Sequence, residues 1–128
     1  MKTELIKKNE MIAEWMQLKR LSDTKWINPV LAQKTDHLAY HESFGWIMPV
    51  VEKICRLRVG DGITFYDYCY PRTFGMLNAE TGQIMVRLNG NPLFEADTLI
   101  EAIWLAVTYF IEHESNLYNK QPAANASN

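Results

Sequence analysis

The sequence predicts an α+β domain: an antiparallel sheet of three to four strands packed with helices, in the order α-α-β-β-β-α. Three observations carry that expectation. Apolar residues recur at three- and four-residue spacing near 3–18, 43–57 and 98–111. Between the last two stretches, extended segments are punctuated by Ala79-Glu80-Thr81-Gly82 and Asn89-Gly90-Asn91-Pro92, which are turn sequences. The chain has 128 residues, 48% hydrophobic and 22% charged, enough for one domain with its own core. Residues 1–120 are read as that domain, and 121–128 (QPAANASN), without a large apolar side chain, as a flexible tail.

The first helix is expected over about Thr3 to Leu18. Leu5, Ile6, Ile12, Trp15, Met16 and Leu18 fall on one side and Lys7, Lys8, Glu10 and Glu14 on the other. Asn9 offers a cap for a shorter helix beginning at Glu10. From Lys19 to Ala39 the pattern weakens. Trp26-Ile27 and Val30-Leu31 flank the turn-prone Asn28-Pro29, which suggests a short hairpin, while Gln33 to His37 reads as surface loop. This is the stretch expected to be irregular.

The second helix has Ser43 as its cap and Trp46, Ile47, Val50, Val51, Ile54 and Leu57 as its core stripe. Pro49 removes a backbone bond, at about 3 kcal/mol in a helix interior and less near the first turn. It predicts a kink near Gly45, or a 3₁₀-like first turn leading into regular helix from Met48. Gly60-Asp61-Gly62 is expected to end the helix.

Ile63 to Tyr70 alternates, with Ile63, Phe65, Asp67 and Cys69 opposite Thr64, Tyr66, Tyr68 and Tyr70. Thr73–Asn78 and Gln83–Asn89 form a hairpin with Gly82 suited to positive φ, and Leu93–Glu95 adds a short extended piece. The last helix opens on a capping box, Thr98 with Glu101, after Asp97. Leu99, Ile103, Ala106 and Phe110 head its core stripe. Trp104, Leu105 and Tyr109 carry apolar character beyond one face, so the helix is either covered on two sides or presents a partner interface.

Composition excludes several functions. Thirteen basic against fifteen acidic residues give a formal charge of -2, with no basic field for duplex nucleic acid. The N-terminal MKTELIKKNEM lacks an apolar h-region, and Leu99 to Ile111 is too short to span a bilayer. The expectation is a cytoplasmic protein without a membrane partner. Cys55 and Cys69 read as buried free thiols.

Reaction motifs are sparse. There is no GxxxxGK[ST], no GxGxxG and no D-x-D-x-D loop, and neither a metal nor a cofactor is expected. His37 and His41 are spaced H-x3-H but precede the helix and lack a third ligand at motif spacing, so both read as structural or surface residues. His41-Glu42-Ser43 contains the residue types of a hydrolase triad, yet adjacency is not triad geometry. Tyr66, Tyr68 and Tyr70 with Arg72 and Arg87 could stack a base and hold a nucleotide phosphate. Cross-strand aromatic packing explains the same tyrosines without a ligand.

Residues 40–54, YHESFGWIMPVVEKI, resemble the Y-H-x-S-W-x-W-L-M-P-V-V-E-K-I signature of a family of small Bacteroidetes phage and prophage proteins. The stretch TFGMLNAETGQIMVRLNGNPLFEADTLIEAIWLAVTYFIE is similar to that group's R-x-x-L-F-x-x-x-T-L-I-E-A-x-x-x-A-V-x-x-F-I ending, and MIAEWMQL to its opening. The resemblance covers most of residues 10–112. It implies a phage ABA-sandwich domain, an α/β/α arrangement with a sheet between helical layers, and no catalytic residues. The chain departs from the pattern at Phe44 and Gly45, where the group carries tryptophan and an acidic residue.

The leading expectation is a non-enzymatic phage or prophage accessory protein that binds a host protein or a small ligand. The alternatives are a nucleotide-sequestering protein using the tyrosine strand, a homo-oligomeric structural protein assembled through the last helix, and a small hydrolase.

Overall fold

The computed structural model describes residues 3–28, 33–60, 63–64, 73–88 and 92–113. Among them are three helices and eight short strands, an α+β fold. The helices are α1 (Glu4–Trp15), α2 (Phe44–Cys55) and α3 (Leu99–His113). Strands β1 (Lys19–Arg20), β2 (Trp26–Asn28) and β3 (Gln33–Thr35) lie between α1 and α2. Strands β4 (Arg58–Gly60), β5 (Ile63–Thr64), β6 (Thr73–Leu77), β7 (Ile84–Arg87) and β8 (Phe94–Ala96) lie between α2 and α3.

Helix α1 starts where Thr3 accepts a hydrogen bond from the Ile6 amide, 3.2 Å. It stops earlier than the apolar pattern suggests. The Leu18 amide reaches back to the Ala13 carbonyl, 3.0 Å, and Gln17 takes φ 67°, the left-handed position of a helix-ending turn. Leu5 and Ile6, expected in the core, are 38% and 44% exposed. Ile12 and Ala13 are fully buried, and Asn9 is buried mid-helix rather than capping it.

The segment after α1 corrects the expectation of an irregular stretch. It is a three-stranded antiparallel meander, β1-β2-β3, with Gln33 to Thr35, read as loop, forming the third strand opposite Trp26 to Asn28. Two side chains anchor it. Trp26 is buried in the core, and the Arg20 guanidinium lies 4.4 Å over its ring while reaching Glu10 of α1 at 3.5 Å.

Helix α2 begins at Phe44 with Ser43 as backbone cap, but the serine side chain makes no capping bond. The Trp46 amide, which such a cap would satisfy, bonds the Ser43 carbonyl instead, 3.1 Å. The same carbonyl accepts the regular α bond from the Ile47 amide, 3.0 Å, so the helix is α from Phe44 rather than opening on the expected 3₁₀-like turn, and Pro49 sits inside it on its exposed side. The helix ends at Cys55 rather than at Gly60, which belongs to the hairpin β4–β5. Lys53 braces it against α1. Its ammonium donates to the Trp15 carbonyl at 2.6 Å and lies 4.3 Å over the Trp15 ring, and burial lowers its pKa.

The predicted hairpin forms as β6–β7, with Gly82 at φ 74° and the Asn78 side chain accepting from the Glu80 amide, 2.9 Å. Strand β8 adds to β7 in antiparallel register. At Gly75, φ 84°, the β6–β7 register shifts, and a Cβ would meet Leu99 at 3.5 Å. Helix α3 starts as expected, Thr98 accepting from the Glu101 amide at 3.3 Å.

One core joins these elements, and its hub is α3. That helix packs against β7 and β8 and also against α1 and α2. Ala102, Ile103, Ala106, Val107 and Phe110 are fully buried, meeting Ile12, Ile47, Val50 and Val86. Among the described residues the expected antiparallel sheet is β6-β7-β8, and a second three-stranded sheet and the β4–β5 pair are added to it. Extra strands come from backbone pairing of short polar segments, which side-chain periodicity does not report. Of the strand expected over 63–70, Ile63–Thr64 forms β5, while residues 65–70 with Cys69, the turn at 89–91 and the tail at 121–128 lie outside the described residues.

Candidate functional site

Asn9 is the starting point of the site. It is 2% exposed, and an amide buried this far must have its hydrogen bonds met. Trp104 of α3 donates its indole N–H to Asn9 Oδ1 at 2.8 Å. Because an indole can only donate, that contact fixes which end of the amide is oxygen. Asn9 Nδ2 is then the donor to the Leu38 carbonyl, 3.1 Å, and to His41 Nδ1, 2.9 Å. His41 Nδ1 must therefore accept, and the ring proton sits on Nε2, which faces Glu42 Oε1 at 3.6 Å.

Glu42 joins the second histidine. Its Oε2 pairs with His37 Nε2 at 2.5 Å, and the two imidazoles meet edge-to-face at 6.2 Å. This bond with His37 holds the Glu42 carboxyl below its ordinary range. The fold thus brings together both members of the H-x3-H spacing and the adjacent glutamate. They sit in the turn before α2 rather than on a helix. Ser43, the third triad residue type, instead occupies the α2 cap position. Among the described residues no group of three or more His, Cys, Asp and Glu is arranged to hold a metal ion.

Asn9, His37 and His41 line a cleft of about 460 Å³ bordered by α1, Asp23, Thr24, Trp26 of β2 and residues 36–41. Leu5, Ile6, Trp26 and Leu38 give it apolar surface. Glu10, Asp23 and Asp36 give it carboxylates, and His37 and His41 its only imidazoles. Arg20 contacts this lining, reaching Glu10 at 3.5 Å and the Asp23 carbonyl at 3.0 Å. A cleft of this size with an apolar wall and a few fixed polar groups suits a small ligand.

The other candidate residues lie elsewhere. Arg87 is exposed on β7, paired opposite Thr73. Tyr66, Tyr68, Tyr70 and Arg72 lie outside the described residues. Trp104 is half-buried with its N–H engaged by Asn9, and Leu105 packs half-buried on the core. Tyr109 is half-buried between Phe94, 5.6 Å away, and His113, on which it stacks at 4.1 Å. No helix among the described residues is long and apolar enough to cross a membrane.

Asn9 is the residue that sequence reasoning missed. A polar residue on the apolar side of a 3.6-residue pattern was the available signal, and it was read as a cap. Comparisons with family models, with curated proteins and with solved structures give no match to this chain.

Proposed function

We propose that the chain is a phage or prophage accessory protein that acts in the host cytoplasm by binding, without catalysis, a small organic cation in the cleft beside α1. The observation that supports this reading is the cleft's charge. Three carboxylates, Glu10, Asp23 and Asp36, line a partly apolar cavity, and no lysine or arginine lines it among the described residues, the nearby Arg20 guanidinium reaching Glu10 at 3.5 Å. A cation with an apolar body gains from both surfaces, whereas an anion would face the carboxylates.

The imidazoles favour holding over turnover. His41 has Nδ1 engaged by Asn9 and Nε2 turned toward Glu42, so neither nitrogen is poised as a base. The His37 ring has one hydrogen-bond partner among the described residues, Glu42.

Titration with tryptamine, agmatine and spermidine, by calorimetry and by resonance shifts, tests this reading. The expected result is saturable binding of at least one amine, with shifts at the Ile6, Leu38 and His41 resonances, weakened about threefold in Asp36→Asn. Absence of amine binding, or shifts confined to other residues, removes the proposal. A lysine or arginine side chain of a host protein carries the same chemistry, and retention of that partner by wild type but not Asp36→Asn would identify it as the occupant.

A further inference from the structure

A second cleft, about 670 Å³, borders the same 35–46 segment. Met16, Leu18, Trp46 and Pro49 give it apolar surface, and among the described residues Lys34 is the one charged side chain that lines it, with no carboxylate beside it.

Tyr40 lines this cleft and is 2% exposed, its ring edge-to-face with Trp46 at 5.1 Å. Its hydroxyl makes no hydrogen bond to any described residue. Among the described residues the one fully enclosed side-chain polar atom without a partner is Trp15 Nε1, so the small exposed part of Tyr40 includes its hydroxyl. A tyrosine buried to this depth ordinarily has its hydroxyl satisfied, and here the opening that remains is the cleft.

The start of α2 repeats the pattern. The Trp46 and Ile47 amides bond the Ser43 carbonyl, and the Phe44 and Gly45 amides have no acceptor among the described residues. Ser43 does not cap them, and no acidic side chain stands in the first turn. Gly45 lines the cleft, and a Cβ there would approach only Ser43 Oγ, at 3.5 Å.

We infer that this cleft binds an organic anion with a flat apolar body, its head group held by the Tyr40 hydroxyl, Lys34 and the first amides of α2. The body lies against Trp46, Pro49 and Met16. Backbone amides at a helix start and a lysine favour negative charge, and a phenol donates to it. Burial pushes the Tyr40 ionisation upward, so the hydroxyl remains a donor through the neutral range. An aryl carboxylate and an aryl phosphate ester share this chemistry.

Titrations of the full chain with indole-3-acetate and with phenyl phosphate separate the two head groups, followed by the Gly45 amide and Trp46 indole resonances. Indole alone and inorganic phosphate alone serve as body and head controls. The expected result is saturation by at least one of the two probes, with each half-molecule at least about tenfold weaker. Tyr40→Phe, which removes a hydroxyl without a described hydrogen-bond partner, should weaken that probe about tenfold. Gly45→Asp places a carboxylate at the helix start, where it favours the helix, and should abolish probe binding while raising thermal stability. Saturation by neither probe in the millimolar range, equal binding of indole, or full affinity in Tyr40→Phe each overturns the inference. The amine titrations read a different set of resonances, so the two clefts stand or fall separately.

Discussion

In the cleft beside α1, Asn9 has every polar atom occupied, by Trp104, Leu38 and His41. In the cleft beside the start of α2, the Tyr40 hydroxyl and the Phe44 and Gly45 amides have no acceptor among the described residues. The first cleft is lined by carboxylates and the second by a lysine, although residues 35–46 border both. The difference separates two uses of a polar group. A satisfied one holds neighbouring segments in place, and its loss is felt in stability. An unsatisfied one at the edge of a cavity contributes little to the fold and is available to a ligand.

The largest expected effect breaks the satisfied side. Asn9→Ala leaves the part-buried Trp104 N–H and Leu38 carbonyl without their partner, and should destabilise the protein by about 3 kcal/mol in urea unfolding. A loss below about 1 kcal/mol would mean that water replaces the amide and that the contrast between the clefts is weaker than drawn.

Tyr40→Phe is the matching change on the unsatisfied side. At neutral pH it should alter stability by no more than about 0.5 kcal/mol. Its effect appears in alkali. The folded-state pKa of Tyr40 is raised above the ordinary value of 10.0, so its stabilising contribution is complete below that pH and is lost as pH rises further. Denaturation midpoints should therefore fall less steeply above pH 10.0 in Tyr40→Phe than in wild type.

A change at the end of α1 sharpens the comparison. Gln17, left-handed at φ 67°, stands between Met16 and Leu18, both of which line the second cleft. Gln17→Gly should stabilise the protein by about 1 kcal/mol while leaving organic-anion affinity unchanged. A change in that affinity would show that the end of α1 shapes the cleft. The smallest effect lies at acid pH. Glu42 has its carboxyl lowered from 4.5 by the His37 bond, so its contribution is present above that value and lost as pH falls through the folded one. Both groups are exposed, so Glu42→Gln should flatten the acid limb only slightly.

The parts of the fold that sequence revealed are those specified by neighbours in the chain. Thr98 with Glu101 announces α3, and Gly82 after Asn78 announces the β6–β7 turn, because caps and turns act over three or four residues. Strands β1 and β3 were hidden for the opposite reason. Lys19, Arg20, Gln33 and Lys34 are exposed and have no apolar alternation, and only backbone pairing with Trp26 to Asn28 makes them strands. At the site, His37, His41 and Glu42 were visible as a cluster of residue types. Their organiser was not, because Asn9 acquires its meaning from Trp104, 95 positions away.

That separation also sets a time. On a ribosome the Asn9 amide emerges roughly 5–20 s before Trp104 at ordinary synthesis speeds. Until α3 has been made and docked, Asn9 lacks the contact that orients its amide, and His41 lacks the acceptor role that fixes its proton. The lining of the first cleft is thus among the last features to be completed, and occupancy of the finished cleft marks a chain whose first and last helices have met. A ligand selective for that state would draw late folding intermediates toward it by mass action, acting as a latch between α1 and α3.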